Sequence, residues 1–172
     1  MSLVKNKVNW CLKKAEKEIE EGKKHRGLVN GGVNLEEAKR HIEKAEHNLK
    51  AIDYFNKGGF SDWSMSAVFY TIYHCFLAIS LKFGYESRNQ ECTIALISWL
   101  REEGKINIDN KFIDALENYN EQERLETNVI EKREFYTYGT TISVNDKKEI
   151  ENNIALCKDC LAQTKSIVYK LN

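Results

Sequence analysis

The chain has 172 residues, of which 42% are hydrophobic and 30% are charged, and its 26 Lys and Arg residues balance 26 Asp and Glu residues. This composition is typical of one folded domain and argues against a disordered chain. Because the net charge is zero, the protein has no overall attraction to nucleic acid, and any such binding requires a local basic patch. The sequence therefore predicts a single domain over residues 1–172.

The N-terminus, the longest apolar stretch and the cysteines predict the cellular setting. The first residues run into a Lys-rich helix without an apolar signal core. The longest apolar stretch, residues 68–81, is shorter and more polar than a bilayer-spanning helix. Five cysteines, an odd number, favour reduced thiols over a disulfide framework. We therefore expect a cytoplasmic protein that does not contact a membrane.

Helical periodicity dominates the first third of the chain. The chain contains no proline, so helices can run long and glycines must end them. Apolar spacing predicts a first helix over residues 4–21 and a second that begins at Asn34 and ends at Gly58. Asn34 with Glu37 matches a capping box. The glycine-rich segment between the two helices lacks the residues of a phosphate loop and is predicted to be a connector.

The third predicted helix, residues 61–83, is apolar around most of its circumference. Such a helix must be covered on several sides, at the centre of a bundle, in a dimer interface, or in both. Further helices are predicted over residues 89–103 and 145–171, with a charged region of helical spacing over residues 110–138 between them, and no alternating run is long enough to predict a sheet. Short connections favour antiparallel neighbours. The predicted fold is therefore all-α, an antiparallel up-and-down bundle of about five to six helices.

A Cys-x-x-Cys pair, Cys157 and Cys160, is the pattern closest to a metal motif. A structural zinc site needs a second such pair or two histidines, and no second pair exists. A thioredoxin-like role needs the pair at a strand-to-helix turn, whereas here it falls inside a helical seam. Core packing is the predicted role, and no metal is expected.

Three histidines differ in their predicted surroundings. His41 and His47 fall on the charged side of the second helix and are predicted to be exposed. His74 lies in the apolar third helix beside Tyr70 and Tyr73. A buried imidazole needs hydrogen-bond partners. One interpretation is that His74 lies in the core or an interface with hydrogen-bond partners for its ring nitrogens. The other is that it lines a cleft.

A second candidate site lies late in the chain, where Arg133 is followed by Tyr136 and Tyr138. Arg133 and Tyr136 share one helix face because they are three residues apart. An arginine and two tyrosines at a helix end can hold a phosphate or stack a base. They can equally form a cation–π cluster that stabilises the bundle. The residues alone leave both interpretations open.

Two of these segments together resemble a known family. Residues 66–74, Ser-Ala-Val-Phe-Tyr-Thr-Ile-Tyr-His, resemble the Ala-Tyr-Tyr-x-x-Phe/Tyr-His segment of HEPN-domain proteins. Residues 88–94 resemble the start of the next helix in archaeal and bacterial members, and Arg133 with Tyr138 and Gly139 resembles their late-helix arginine motif. The resemblance covers about residues 35–171. It makes residues 1–33 an N-terminal helix and loop extension, and residues 34–172 the bundle.

The resemblance implies both a fold and a functional theme. HEPN domains are up-and-down helical bundles, usually dimeric, with a polar cleft near the dimer seam. Many are metal-independent RNases, often toxins, whose signature is an arginine and a later histidine with four to six residues between them. Many are encoded beside a minimal nucleotidyltransferase that acts as the antitoxin. Others only bind nucleotides or nucleic acid, and no cofactor is expected.

This chain departs from the RNase signature. The positions that should carry the histidine hold Tyr138, Gly139 and Thr140, and no histidine follows His74. Tyrosine is a poor general base near neutral pH because its ordinary pKa is about 10. The leading hypothesis is a homodimer that binds a nucleotide, RNA or a nucleotidyltransferase partner without strong catalysis. The alternatives are an RNase that uses Arg133 with His74 or Tyr138, and a structural dimerisation module. The ligand-binding residues predicted by the leading hypothesis are Arg133, Tyr136, Tyr138, Tyr70, His74 and, as a further phosphate contact, Arg88.

Overall fold

The computed structural model describes residues 2–117, 129–144 and 146–170. Seven helices and two short strands occur in these ranges, and they confirm the predicted all-α class. The predicted region of helical spacing over residues 110–138 contains two helices, and residues 118–128 between them lie outside the described ranges. The elements in chain order are α1 (Leu3–Glu20), β1 (Leu28–Asn30), α2 (Leu35–Lys57), α3 (Ser61–Lys82), β2 (Tyr85–Ser87), α4 (Gln90–Glu102), α5 (Asn110–Leu116), α6 (Val129–Tyr138) and α7 (Lys147–Val168).

Local signals set the ends of α2 as predicted. The Asn34 side-chain oxygen accepts a hydrogen bond from the Glu37 backbone N–H at 3.0 Å. This bond satisfies one of the free N–H groups of the first turn. At the other end Gly59 has a φ of 80°, a conformation that glycine adopts without a steric penalty. The chain then turns directly into α3, which packs along α2 as an antiparallel hairpin.

The central position of α3 explains its apolar composition. It packs against α2, α4, α6 and α7, and Phe76, Ile72 and Ile79 are fully buried among them. At 22 residues the helix is longer than the apolar stretch seen in the sequence. By length and composition alone it could also cross a membrane, but 72% of its most apolar window is buried inside the bundle. This burial is typical of a core helix.

The N-terminal region contradicts two predictions. Cys11 of α1 and Cys92 of α4 form a disulfide, so these two thiols are not reduced. Strands β1 and β2 pair antiparallel, with Leu28 opposite Ser87, although no sheet was expected. Both features join segments that are far apart in sequence. Strands of three residues are also too short to produce a visible alternation.

The other three cysteines lie in the core. Cys75 of α3 and the Cys157–Cys160 pair of α7 are free and buried. Burial raises the pKa of both α7 thiols, because the interior disfavours the thiolate. The prediction that the Cys-x-x-Cys pair packs in the core is therefore confirmed.

Candidate functional site

One side of α3 remains partly open to solvent. Its residues recur every three or four positions, so they lie in one row along the helix. We call this row the α3 face. It consists of Ser66, Tyr70, Tyr73, His74 and Leu77, and all five are half-buried or exposed. Most of the other α3 side chains are buried, so the α3 face is where this central helix can meet a ligand.

Arg133 of α6 reaches the N-terminal half of the α3 face. Its guanidinium carbon lies 4.1 Å from the centre of the Phe69 ring. The Phe69 ring contacts the Tyr70 ring edge-on at 5.0 Å between centroids and stacks on the Tyr73 ring at 5.7 Å. A cation–π contact is therefore present, but its ring is Phe69 of α3 rather than a tyrosine of α6. The Arg133 side chain is 19% exposed, with Nη2 3.5 Å from the Glu134 carboxylate.

The two tyrosines of α6 have different surroundings. Thr137 holds α6 against α3, since its hydroxyl lies 3.2 Å from the Ser66 hydroxyl. Tyr136 packs against the core, and burial raises its pKa. Tyr138 is 82% exposed. The structure therefore brings Arg133 and Tyr70 to the same Phe69 ring, while Tyr136 is half-buried against the core and Tyr138 is exposed to solvent.

His74 is paired with His41 of α2. Their Nδ1 atoms are 2.8 Å apart, so one Nδ1–H donates to the other nitrogen. Burial lowers the pKa of both imidazoles, and the pKa of His74 falls to about 4. Both rings are therefore neutral at pH 7. Each ring uses its Nδ1 in the pair, so one presents an Nε2–H and the other an Nε2 lone pair.

The prediction that His41 is exposed is wrong, whereas His47 is exposed as predicted. His41 is half-buried because it borders the stripe of α2 that packs on α3. It lies three residues after Ala38 and four before Ala45, and both alanines are fully buried. This spacing places position 41 on the packed side. The sequence already contained this spacing, but the charged residues next to His41 favoured the prediction that it is exposed.

Arg133 and His41 contact different parts of α3. Phe69, whose ring Arg133 contacts, precedes His74 by five residues. This separation is about 7.5 Å along a helix axis. Ring contacts connect the two, because Tyr73 meets both Phe69 and His74. The arrangement is a row of aromatic and polar groups with a cation at one end. It is not a compact catalytic cluster.

A cavity of about 330 Å³ lies beyond His41, between α2, α3 and β2. We call it the His41 cavity. It contains Arg88, whose Nε–H donates to Glu86 at 2.9 Å. Arg88 is thus separate from the Arg133–Phe69 contact and lies near Leu77, the last residue of the α3 face. The lining residues are Asn34, Glu37, His41, Leu77, Leu81, Glu86, Ser87 and Arg88.

The described ranges contain no candidate metal-binding site. Among residues 2–117, 129–144 and 146–170, no group of three or more His, Cys, Asp or Glu side chains is arranged to hold a metal ion. Of the histidine pair, only His41 lines the His41 cavity, together with the carboxylates of Glu37 and Glu86.

The fold and the open face define this protein as a helical bundle with a polar surface on its central helix. The family model of the HEPN domain matches residues 38–165, from the first turn of α2 to the last turn of α7. The match covers well over half of the chain, so the protein belongs to the HEPN family. HEPN domains are generally nucleotide- or RNA-related and are often RNases. A search of curated proteins found no match to this sequence.

Proposed function

We propose that this protein binds single-stranded RNA or a nucleotide through the α3 face, without strong catalysis. The observation that carries the proposal is the contact of Arg133 with Phe69, beside the 46%-exposed ring of Tyr70. A guanidinium that lies on an aromatic ring still has its N–H edge free to donate to a phosphate. An exposed tyrosine ring gives a base a surface on which to stack.

Neutral net charge makes these local contacts decisive. With 26 basic and 26 acidic residues, the protein gains little from general attraction to the phosphate backbone. Base stacking on one aromatic ring contributes about 1–3 kcal/mol. One guanidinium–phosphate contact releases about one counterion, so the affinity should fall only weakly with salt.

Binding of a labelled short RNA, followed by fluorescence anisotropy, tests the proposal. Arg133→Ala should weaken binding about tenfold, because a charge-assisted hydrogen bond to phosphate contributes about 1.5–3 kcal/mol. Lys132→Ala is the matched control, since it removes the same charge one residue earlier. Equal binding by wild type and Arg133→Ala, or no binding by either, would remove this role.

The tyrosine can be tested separately. Tyr70→Phe should retain binding and Tyr70→Ala should lose it, because stacking needs the ring and not the hydroxyl. Tyr54 of α2 is 75% exposed and lies outside the α3 face, so Tyr54→Ala is the matched control. Loss of binding in Tyr54→Ala as well would show that the aromatic effect is nonspecific.

A second candidate function is RNA cleavage, and the His41–His74 pair is the observation that favours it. One Nε2 lone pair can accept the ribose 2′-hydroxyl proton while the other ring gives its Nε2 proton to the 5′-oxygen that leaves. The Nδ1 proton shifts between the rings. The O2′–P bond forms as the P–O5′ bond breaks, which leaves a 2′,3′-cyclic phosphate and a 5′-hydroxyl.

This candidate predicts cleavage of RNA in the presence of EDTA. His41→Ala and His74→Ala should each abolish the cyclic phosphate product, whereas His47→Ala on the exposed side of α2 should not. Wild-type protein that gives no product above background would rule out the activity. The homodimer and the nucleotidyltransferase partner implied by the family remain proposals, and light scattering tests the first of them.

A further inference from the structure

We propose that the His41 cavity binds a guanine base and that Glu37 and Arg88 read the two hydrogen-bonding edges of that base. The inference rests on the proposed function, because the base would belong to the bound RNA or nucleotide. The cavity is lined by Glu37, by the Arg88–Glu86 ion pair and by the apolar side chains of Leu77 and Leu81. A planar, polar-edged ring is the ligand that fits such a lining.

The cavity lies at the far end of the α3 face from Arg133. Leu77 belongs to the α3 face and to the cavity wall, and it follows Phe69 by eight residues. This is about 12 Å along the helix, which corresponds to three or four stacked nucleotides at about 3.4 Å each. A short RNA can therefore contact Arg133 and the cavity together.

Glu37 is the acceptor side of the proposed site. Its Oε2 accepts a hydrogen bond from Arg40 at 3.0 Å, so the carboxylate is already held in one orientation. A carboxylate has about four lone-pair positions, which leaves enough to accept two further N–H groups. Guanine offers two adjacent donors, N1–H and the N2 amino group, on its Watson–Crick edge. Single-stranded bases are commonly read on that edge.

Arg88 is the donor side of the proposed site. Its Nε–H donates to Glu86 at 2.9 Å, and this ion pair orients the guanidinium plane. Within the described part of the chain, the two terminal nitrogens of Arg88 have no protein acceptor. Arginine donates to the O6 and N7 atoms of guanine in the commonest base-specific contact that proteins make. Guanine presents these acceptors on the side next to its two donors.

The other bases do not match this pair of groups. Adenine and cytosine each place a ring nitrogen lone pair where guanine has N1–H, and this lone pair would face the Glu37 carboxylate. Uracil has one ring N–H but no amino group beside it. Inosine keeps O6, N7 and N1–H and lacks only the N2 amino group. It is therefore the analogue that isolates the contact with Glu37.

Calorimetric titration with GMP, IMP, AMP, CMP and UMP tests the inference. Wild type should bind GMP at least about fivefold more tightly than each of the others, the lower limit for one bidentate base contact. Glu37→Gln should reduce the GMP-to-IMP preference below about twofold, because an amide offers only one acceptor oxygen. Glu36→Gln is the matched control, since Glu36 also pairs with Arg40 but does not line the cavity.

Two further variants separate this inference from the proposed function. Arg88→Lys should weaken GMP and IMP alike, because both carry the O6 and N7 acceptors. Arg133→Ala should leave the GMP-to-IMP preference unchanged while it weakens RNA binding. Equal binding of all five mononucleotides, no GMP binding at millimolar concentration, or an unchanged GMP-to-IMP preference in Glu37→Gln would overturn the guanine site. RNA binding that still depends on Arg133 would then leave the proposed function intact.

Discussion

Replacing Cys11 and Cys92 together by serine should strongly destabilise the fold, because it removes the covalent link between α1 and α4. The two cysteines are 81 residues apart. Closing a loop of that length restricts the unfolded chain by about 4.5 kcal/mol at 25 °C, and losses for native disulfides are typically about 2–5 kcal/mol. Domains of this size are stable by only about 5–15 kcal/mol. A loss of about 4.5 kcal/mol would be about a third of the free energy of unfolding at the upper end of that range and nearly all of it at the lower end.

Urea unfolding followed by circular dichroism measures the effect. Wild type with dithiothreitol should match the Cys11→Ser/Cys92→Ser variant, and dithiothreitol should not change the variant itself. Lys7→Ala breaks the exposed Lys7–Glu91 pair between the same two helices. It should cost less than about 1 kcal/mol, which makes it the control for ordinary contacts there.

Counting free thiols in the denatured protein tests directly whether the Cys11–Cys92 disulfide forms. The denatured chain should show three free thiols before reduction and five after it. Five thiols before reduction would refute the disulfide, and equal free energies for wild type and the double variant would refute the loop argument. A cytosolic protein is normally kept reduced. A thiol count on protein taken from cells therefore also tests the cytoplasmic prediction.

Two further predictions concern stability. The pKa of His74 is lowered from 6.5 to about 4, so between these values the unfolded chain binds a proton that the folded chain does not, and stability is lost as pH falls. The full shift corresponds to about 3 kcal/mol, which solvent screening at this half-buried site reduces to about 1–2 kcal/mol. Urea unfolding at pH 7 and at pH 4.5 measures this loss of stability, which should be smaller in His74→Gln than in wild type by about 1–2 kcal/mol. An identical loss in the two proteins would contradict the pairing. Gly27→Ala should destabilise by about 1–3 kcal/mol, because its Cβ would lie 2.3 Å from the Cys11 carbonyl oxygen. Gly31→Ala meets no atom within 4 Å and should be nearly neutral in the same urea unfolding assay.

The helices and their boundaries could be predicted because their causes are local. The Asn34 cap, the Gly58–Gly59 stop and the all-round apolar character of α3 are properties of neighbouring residues. The division of residues 110–138 into α5 and α6 was missed. Apolar residues continue at helical spacing across that region, so periodicity alone marked no boundary there.

Only part of the candidate site could be predicted from the sequence. Arg133, Tyr70 and His74 were selected by residue type and by a degenerate motif, and the structure places all three along the α3 face or against it. Their partners were not foreseen. Arg133 contacts a phenylalanine from another helix, and His74 pairs with a histidine 33 residues earlier in the chain.

The sequence by itself determined the class of this protein, its helical pattern and its family resemblance, since period, capping and motif are written in consecutive residues. Only the tertiary structure decided the Cys11–Cys92 bond, the pairing of β1 with β2, the His41–His74 contact and the cavity beside it. Each of these depends on which faces of distant helices meet. That choice is made by packing of the whole core, and no short stretch of sequence contains it.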